Sequence, residues 1–147
     1  MKKISLTLAL MSVLLTPTTT IAKDSFSTGG GYFEFGGHIG IKYKHAIDDT
    51  HSLSAAVGLL GYSLGYEYTL SENMTAGLTM GQQVTIASDG YLVGKMNYHF
   101  QGVDTASWIV GVSAGVKESD GDCFIFCETE DTEQIESTVG IHFGYQF

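Results

Sequence analysis

The chain holds 147 residues, with 16 acids against 7 basic residues and a formal charge of −9 at neutral pH. That length is one domain's worth. So acidic a chain lacks the clustered cations that phosphate contacts need, which excludes nucleic acid as a partner.

The first 22 residues read as an export signal. Lys2 and Lys3 supply the positive start, Ile4 to Leu15 is a largely apolar run of 12, and Thr20-Ile21-Ala22 resembles a small-residue cleavage site before Lys23. The run is too short to cross a bilayer core of about 30 Å as a helix. The residue directly after the cleavage point is Lys23 and not a cysteine, which argues against lipid attachment there. The expected organisation is signal peptide 1–22 and a single domain 23–147. That domain keeps 5 lysines, no arginine and all 16 acids, a formal charge of −11. The one proline, Pro17, lies in the signal, while all 19 glycines follow it, a composition that suits uninterrupted ladders and closely approaching backbones.

The domain is read as a series of strands with a two-residue period. Phe33, Phe35, Gly37, Ile39, Ile41 and Tyr43 share one face of a first long segment, with Glu34, His38, Lys42 and Lys44 on the other. A turn at Asp48 to His51 leads to a second segment in which Leu53, Ala55, Val57 and Leu59 share a face. At Leu60-Gly61 the phase flips, which marks a tight turn or a bulge. Tyr62, Leu64, Tyr66, Tyr68 and Leu70 continue, and Ser71-Glu72-Asn73 turns again. Met74, Ala76, Leu78, Met80, Val84 and Ile86 form the next apolar face. Ser88-Asp89-Gly90 reads as a hairpin turn, since Asp-Gly tolerates positive φ. Leu92, Met96, Tyr98 and Phe100 follow, then a turn from Gln101 to Thr105, then Trp108, Val110, Val112, Ala114 and Val116. An acidic loop from Glu118 to Gln134 precedes the last strand, in which Val139, Ile141, Phe143, Tyr145 and Phe147 alternate with glycines, His142 and Gln146. Seven strands are clear if Leu60-Gly61 is a turn, and six if it is a bulge. An even count of eight then requires a strand from Lys23 to Gly30 or from the acidic loop.

Period two does not say which face is inside. A soluble barrel would turn its apolar face inward. Two features favour the opposite arrangement, with apolar side chains toward lipid. The polar face is glycine-rich and poor in charge, which suits a narrow lumen. Aromatics also gather at the strand ends beside the short turns and the C-terminus, as Tyr43, Tyr68, Tyr98, Phe100 and Trp108 do; girdles of this kind lie at membrane interfaces. The expected fold is therefore all-β, an antiparallel up-and-down transmembrane barrel of eight strands.

Three segments carry a resemblance: Lys42 to Asp49, Gly65 to Asn73, and Phe143-Gly144-Tyr145-Gln146-Phe147. Over residues 31–147 the chain resembles the small outer-membrane barrels of the OmpA/OmpX and opacity-protein type. The resemblance implies a bacterial outer membrane, contact with its lipid and lipopolysaccharide, and assembly by periplasmic chaperones and the barrel-insertion machinery. That machinery reads a C-terminal aromatic strand in this family, a pattern matched by Phe143, Tyr145 and Phe147.

Cys123 and Cys127 are expected to form a disulfide that staples the acidic loop, because an exported chain with two cysteines usually pairs them. Metal ligands for a zinc site are not otherwise placed, and the acids of the loop form no calcium-loop pattern, so no metal and no cofactor are expected. Phe124-Ile125-Phe126 is an apolar tripeptide inside the acidic loop. It tucks under the staple or forms a contact point, which makes adhesion the best specific reading. Glu34, His38, Lys42, Glu67, Lys95, His99 and His142 are expected to form a polar cluster in the lumen, with Lys117 and Glu136 further along it. Catalysis is not expected: His38 and His142 have no neighbouring nucleophile. The reading that results is a monomeric, non-enzymatic surface scaffold. The alternatives are a narrow channel, a lipid A-modifying enzyme and a soluble periplasmic barrel.

Overall fold

The computed structural model describes residues 23–119 and 134–147. They form eight strands: β1 (Ser25–Gly31), β2 (Ile39–Ala46), β3 (His51–Gly58), β4 (Gly61–Ser71), β5 (Met74–Gln83), β6 (Ala87–His99), β7 (Ser107–Ser119) and β8 (Gln134–Gln146). Each strand pairs antiparallel with the next, and β1 pairs with β8, so the sheet is a closed up-and-down barrel. Closure leaves no unpaired sheet edge. The last amide takes part, since the Phe147 N–H donates to the Phe26 carbonyl at 2.8 Å.

The stagger of the barrel follows from the register. From Gln146 the partners run through Ser27, Lys42, Ala56, Ser63, Gly81, Tyr91 and Lys117 to Glu136. One circuit thus climbs ten residues along β8. A stagger of this kind tilts the strands by roughly 35–45° and leaves an interior just wide enough for side chains. The end that carries Lys23 and Phe147 is here the lower end, where the turns 47–50, 72–73 and 100–106 also lie. The turns 59–60 and 84–86 lie at the upper end, where β7 also ends and β8 begins.

The barrel is inverted relative to a water-soluble fold. Val139 is 80% exposed and Ile141 69%, while His142 between Ile141 and Phe143 is 3% exposed. Ile41, Leu53, Val57, Leu64, Leu78 and Val112 are likewise exposed, and the buried positions beside them are Lys42, Ser52, Ser54, Ser63, Glu67 and Thr79. A conventional apolar core is confined to the upper lumen, where Phe33, Ala87, Tyr91 and Val93 meet.

The structure corrects two expectations about the strands and settles a third. First, the segment 33–38 is no strand. Phe33 has φ of 72°, and Gly31, Gly36 and Gly37 also lie at positive φ, so the chain leaves the sheet after Gly31, folds inward and rejoins it at Ile39. The rings of Phe33 and Phe35 therefore face the lumen rather than the outside. Second, the missing eighth strand is Ser25–Gly31, one of the two sources considered. Third, Ser88-Asp89-Gly90 lies inside β6, and the turn falls at residues 84–86. Gly90 does take positive φ, at 137°, but in a strand beside a register shift between Gly81 and Gln83. The phase flip at Leu60-Gly61 is a turn. The acidic loop is shorter than expected, because Glu118 belongs to β7.

Candidate functional site

The lumen is the candidate site, and its centre is a ring of four charges. Glu34 comes from the inward-folded segment 32–38, Lys42 from β2, Glu67 from β4 and Lys95 from β6. Lys42, Glu67 and Lys95 point inward because their strands alternate in phase with the exposed residues on either side, whereas Glu34 is carried in by the folded segment. Lys42 Nζ donates to Glu34 Oε1 at 2.5 Å and to Glu67 Oε1 at 3.1 Å. Lys95 Nζ donates to Glu34 Oε2 at 2.7 Å and to Glu67 Oε1 at 2.8 Å. All four side chains are buried. Charges so deep are tolerable only when paired, and two carboxylates alternating with two ammonium groups are paired, although Glu67 Oε2 has no protein partner. Each carboxylate is clamped by both lysines, which suits a structural tie better than a proton-transfer group.

The segment 32–38 that delivers Glu34 is a plug. The Tyr91 hydroxyl donates to the Phe33 carbonyl at 2.7 Å, and the Ser63 hydroxyl to the Glu34 carbonyl at 3.0 Å. The Phe33 and Tyr91 rings lie 4.7 Å apart, and Lys42 Nζ sits 5.8 Å from the centre of the Phe35 ring. The glycines of the barrel wall make room for it. A Cβ at Gly144 would lie 2.5 Å from the Phe35 ring, and one at Gly40 only 1.9 Å from the Phe35 carbonyl oxygen. Part of the glycine-rich inner face is thus a mould for the plug.

Val103, in the turn between β6 and β7, is 4% exposed and closes the lower end. Its carbonyl accepts from Lys44 Nζ at 3.3 Å and from Gln146 Nε2 at 2.6 Å, and its N–H donates to the Glu72 carbonyl at 2.9 Å. In the lumen His142 Nε2 lies 2.7 Å from Asn97 Oδ1. His99 is 1% exposed, and neither of its ring nitrogens has a protein partner. Thr75, Thr79 and Gln83 also present unpartnered polar atoms to the lumen; water is the usual partner of such groups.

Six of the seven residues expected in the lumen lie there: Glu34, Lys42, Glu67, Lys95, His99 and His142. His38 does not. It is exposed, with its ring 5.9 Å from that of Tyr32, because the plug ends at Gly37 and the chain has returned to the barrel surface. Lys117 and Glu136 pair at 3.3 Å near the upper end of the lumen, partly in solvent. Sequence reasoning missed the inward Phe33 and Phe35, the Val103 floor and the role of Asn97. The clustered glycines at 29–31 and 36–37 are the signal that could have located the plug.

The expected interface aromatics form a belt at the lower end. Tyr43, Tyr68, Tyr98, Phe100 and Trp108 are all exposed on the outer surface. Trp108 stacks on Phe143 at 4.9 Å and meets Tyr145 edge-on at 5.1 Å, and Tyr145 meets Phe147 at 5.2 Å. The aromatic residues of the C-terminal strand are therefore part of the same belt. Cys123, Cys127, the tripeptide 124–126 and the signal 1–22 lie outside the described residues.

A polar latch sits at the rim of this belt. Asp24 accepts from the Tyr43 hydroxyl at 2.5 Å, from the Ala46 N–H at 3.2 Å and from His45 Nδ1 at 2.9 Å. Burial pushes the Asp24 carboxyl upward, but the Tyr43 hydroxyl, the Ala46 amide and His45 outweigh it and hold its pKa below the ordinary 3.8. A depressed carboxyl stabilises the fold above the unfolded value and loses that contribution as pH falls through the folded one. Asp24→Ala is expected to cost about 1 kcal/mol or less, since the pair is largely exposed. The difference from wild type should shrink in urea titrations as pH falls below the ordinary carboxyl value of 3.8, by the same linkage.

The chain matches no family model, and no curated protein or solved structure matched it either.

Proposed function

We propose that the protein is a small bacterial outer-membrane barrel that acts as a non-enzymatic scaffold, holding the acidic loop between β7 and β8 at the cell surface for adhesion. The observation that carries this reading is the inversion of the barrel. A belt of exposed aliphatic and aromatic side chains surrounds a lumen of lysine, glutamate, serine and threonine. In water such a surface would aggregate. In a bilayer it is solvated by acyl chains, and the closed ladder leaves no backbone group unpaired there. The aromatic belt at the lower end supports an interface at that level, with the termini toward the periplasm.

The lumen favours a scaffold over a channel. Phe33 fills its upper part, the charged ring with Phe35 beside it the middle, and Val103 its lower end. The proposed partners are outer-membrane lipid and lipopolysaccharide, with periplasmic chaperones and the insertion machinery during assembly. Phe143, Tyr145 and Phe147 are the proposed assembly signal.

Gel mobility of washed outer membranes, with and without boiling, tests this reading. The folded protein should migrate differently from its boiled form, and deletion of Phe147 should reduce the folded fraction. Recovery of the protein in the soluble periplasmic fraction would overturn the membrane assignment. Cells displaying a variant that lacks residues 120–133 should keep the barrel and lose surface adhesion.

A further inference from the structure

The barrel wall is lower on one side than on the other. From Tyr68, in the aromatic belt, β4 climbs seven residues to Gly61 at the β3–β4 turn. From Trp108, in the same belt, β7 climbs eleven residues to Ser119. At about 3.3 Å per residue and a tilt of about 40°, these are rises of roughly 18 Å and 28 Å. The apolar band of an outer-membrane barrel is about 25 Å tall. The β3–β4 turn therefore stops below the upper edge of such a band, while β7 passes beyond it. Composition follows the same division. The lower turns carry Asp48, Asp49, Glu72, Asn73 and Asp104, whereas the β3–β4 turn is Leu59-Leu60 between two glycines. Leu59 is 78% exposed and continues the outward column of Leu53, Ala55 and Val57. The Leu59 N–H donates to the Ile39 carbonyl at 3.0 Å, and the Leu60 carbonyl accepts from the Val84 N–H at 2.9 Å. A hairpin turn ordinarily leaves such groups to water, and pairing them is the condition for placing backbone in hydrocarbon. Behind the turn lies the plug, where a Cβ at Gly37 would come 3.1 Å from the Leu60 amide nitrogen.

From this arrangement we infer that the β3–β4 turn is a membrane-immersed rim: acyl chains of the outer leaflet close over Leu59 and Leu60, while the upper ends of β6 to β8 stand above the bilayer surface. The inference rests on the membrane reading above and names the surface that the short wall meets. Three observations select acyl chains as the cover. The wall is too short to bring this turn to water, the turn has no polar side chain, and its apolar surface is continuous with the lipid-facing column beneath it. The plug closes the inner side of the turn, so immersion does not open the polar lumen to lipid. A partner arriving from outside then meets the β6–β8 side of the molecule, and the β1–β4 side is hidden beneath lipid.

Tryptophan quenching in phosphatidylcholine vesicles tests the rim. Trp108→Phe removes the single native tryptophan, and Leu59→Trp, Leu78→Trp and Ile135→Trp are each made in that background. Heat-dependent gel mobility confirms folding of each variant. Leu59→Trp should be quenched by brominated acyl chains, as Leu78→Trp in the middle of the outer face should be, and both should resist iodide in the water. Ile135→Trp, near the top of β8, should show the reverse. Iodide quenching of Leu59→Trp at the level of Ile135→Trp would overturn the rim. A Leu78→Trp that brominated chains do not quench would instead overturn the membrane reading. Leu59→Asp gives a second readout. Its folded fraction should fall about tenfold below wild type in long-chain bilayers, the order expected for a charge held in the outer part of the apolar band. It should recover in short-chain bilayers, whose thinner band lets the turn reach water. A Leu59→Asp folded fraction equal to wild type in long-chain bilayers would also overturn the rim.

Discussion

Glu67→Gln should destabilise the barrel by about 3–5 kcal/mol, the size seen when one member of a buried ion pair is removed. The four-charge ring is neutral as built, with Glu34 and Glu67 each held by Lys42 and Lys95. Without the Glu67 charge, two ammonium groups share one carboxylate in a lumen where Lys44 adds a third cation held only by the Val103 carbonyl. The penalty comes from the uncompensated charge, so a compensated change should largely remove it. Glu67→Leu with Lys95→Leu leaves the Lys42–Glu34 pair intact at 2.5 Å and should be more stable than Glu67→Gln alone. Urea unfolding in vesicles, followed by fluorescence of the single tryptophan, Trp108, measures both. If Glu67→Gln unfolds within 1 kcal/mol of wild type, the ring is not the tie described above.

The reading of β2 to β8 from sequence succeeded because each strand has its own greasy and polar faces. Tyr62, Leu64 and Tyr66 against Ser63, Gly65 and Glu67 can be oriented without knowing any neighbour. β1 resisted that approach. Ser25 to Gly31 carries one large apolar residue, Phe26, and its Gly29 answers to the Phe35 ring folded in behind it, a partner supplied by tertiary structure. The plug misled for the same reason. Phe33, Phe35, Ile39 and Ile41 keep one parity, yet the chain turns inward at the first two and outward at the last two. Period two cannot register a backbone that leaves the sheet and returns. At Ser88 to Gly90 the sequence announced positive φ correctly but did not specify its use, which is an irregularity in β6 and not a hairpin. In the lumen, residue types revealed that charges would gather, and period two placed all but His38. Pairing was not legible, because Glu34 reaches the ring only through the plug.

Replacing both plug aromatics, Phe33→Ala with Phe35→Ala, should convert a closed barrel into a conducting one. An eight-stranded lumen is only just filled by its side chains. Here two of the largest fully buried groups come from the plug and not from the wall. Glycines at 29, 40 and 144 give the wall no side chains to take their place. Each Phe→Ala change removes contacts worth about 3–5 kcal/mol in a well-packed site, with the lower figure apt where water can enter the vacated space. Glu34 stays anchored to Lys42 and Lys95 in the double variant, so its backbone remains in place while the space around it opens. Planar-bilayer recordings should give no discrete steps for wild type and small steps for the double variant. A double variant that stays silent in the bilayer, at wild-type stability, would mean that the wall and the charged ring close the lumen without the plug.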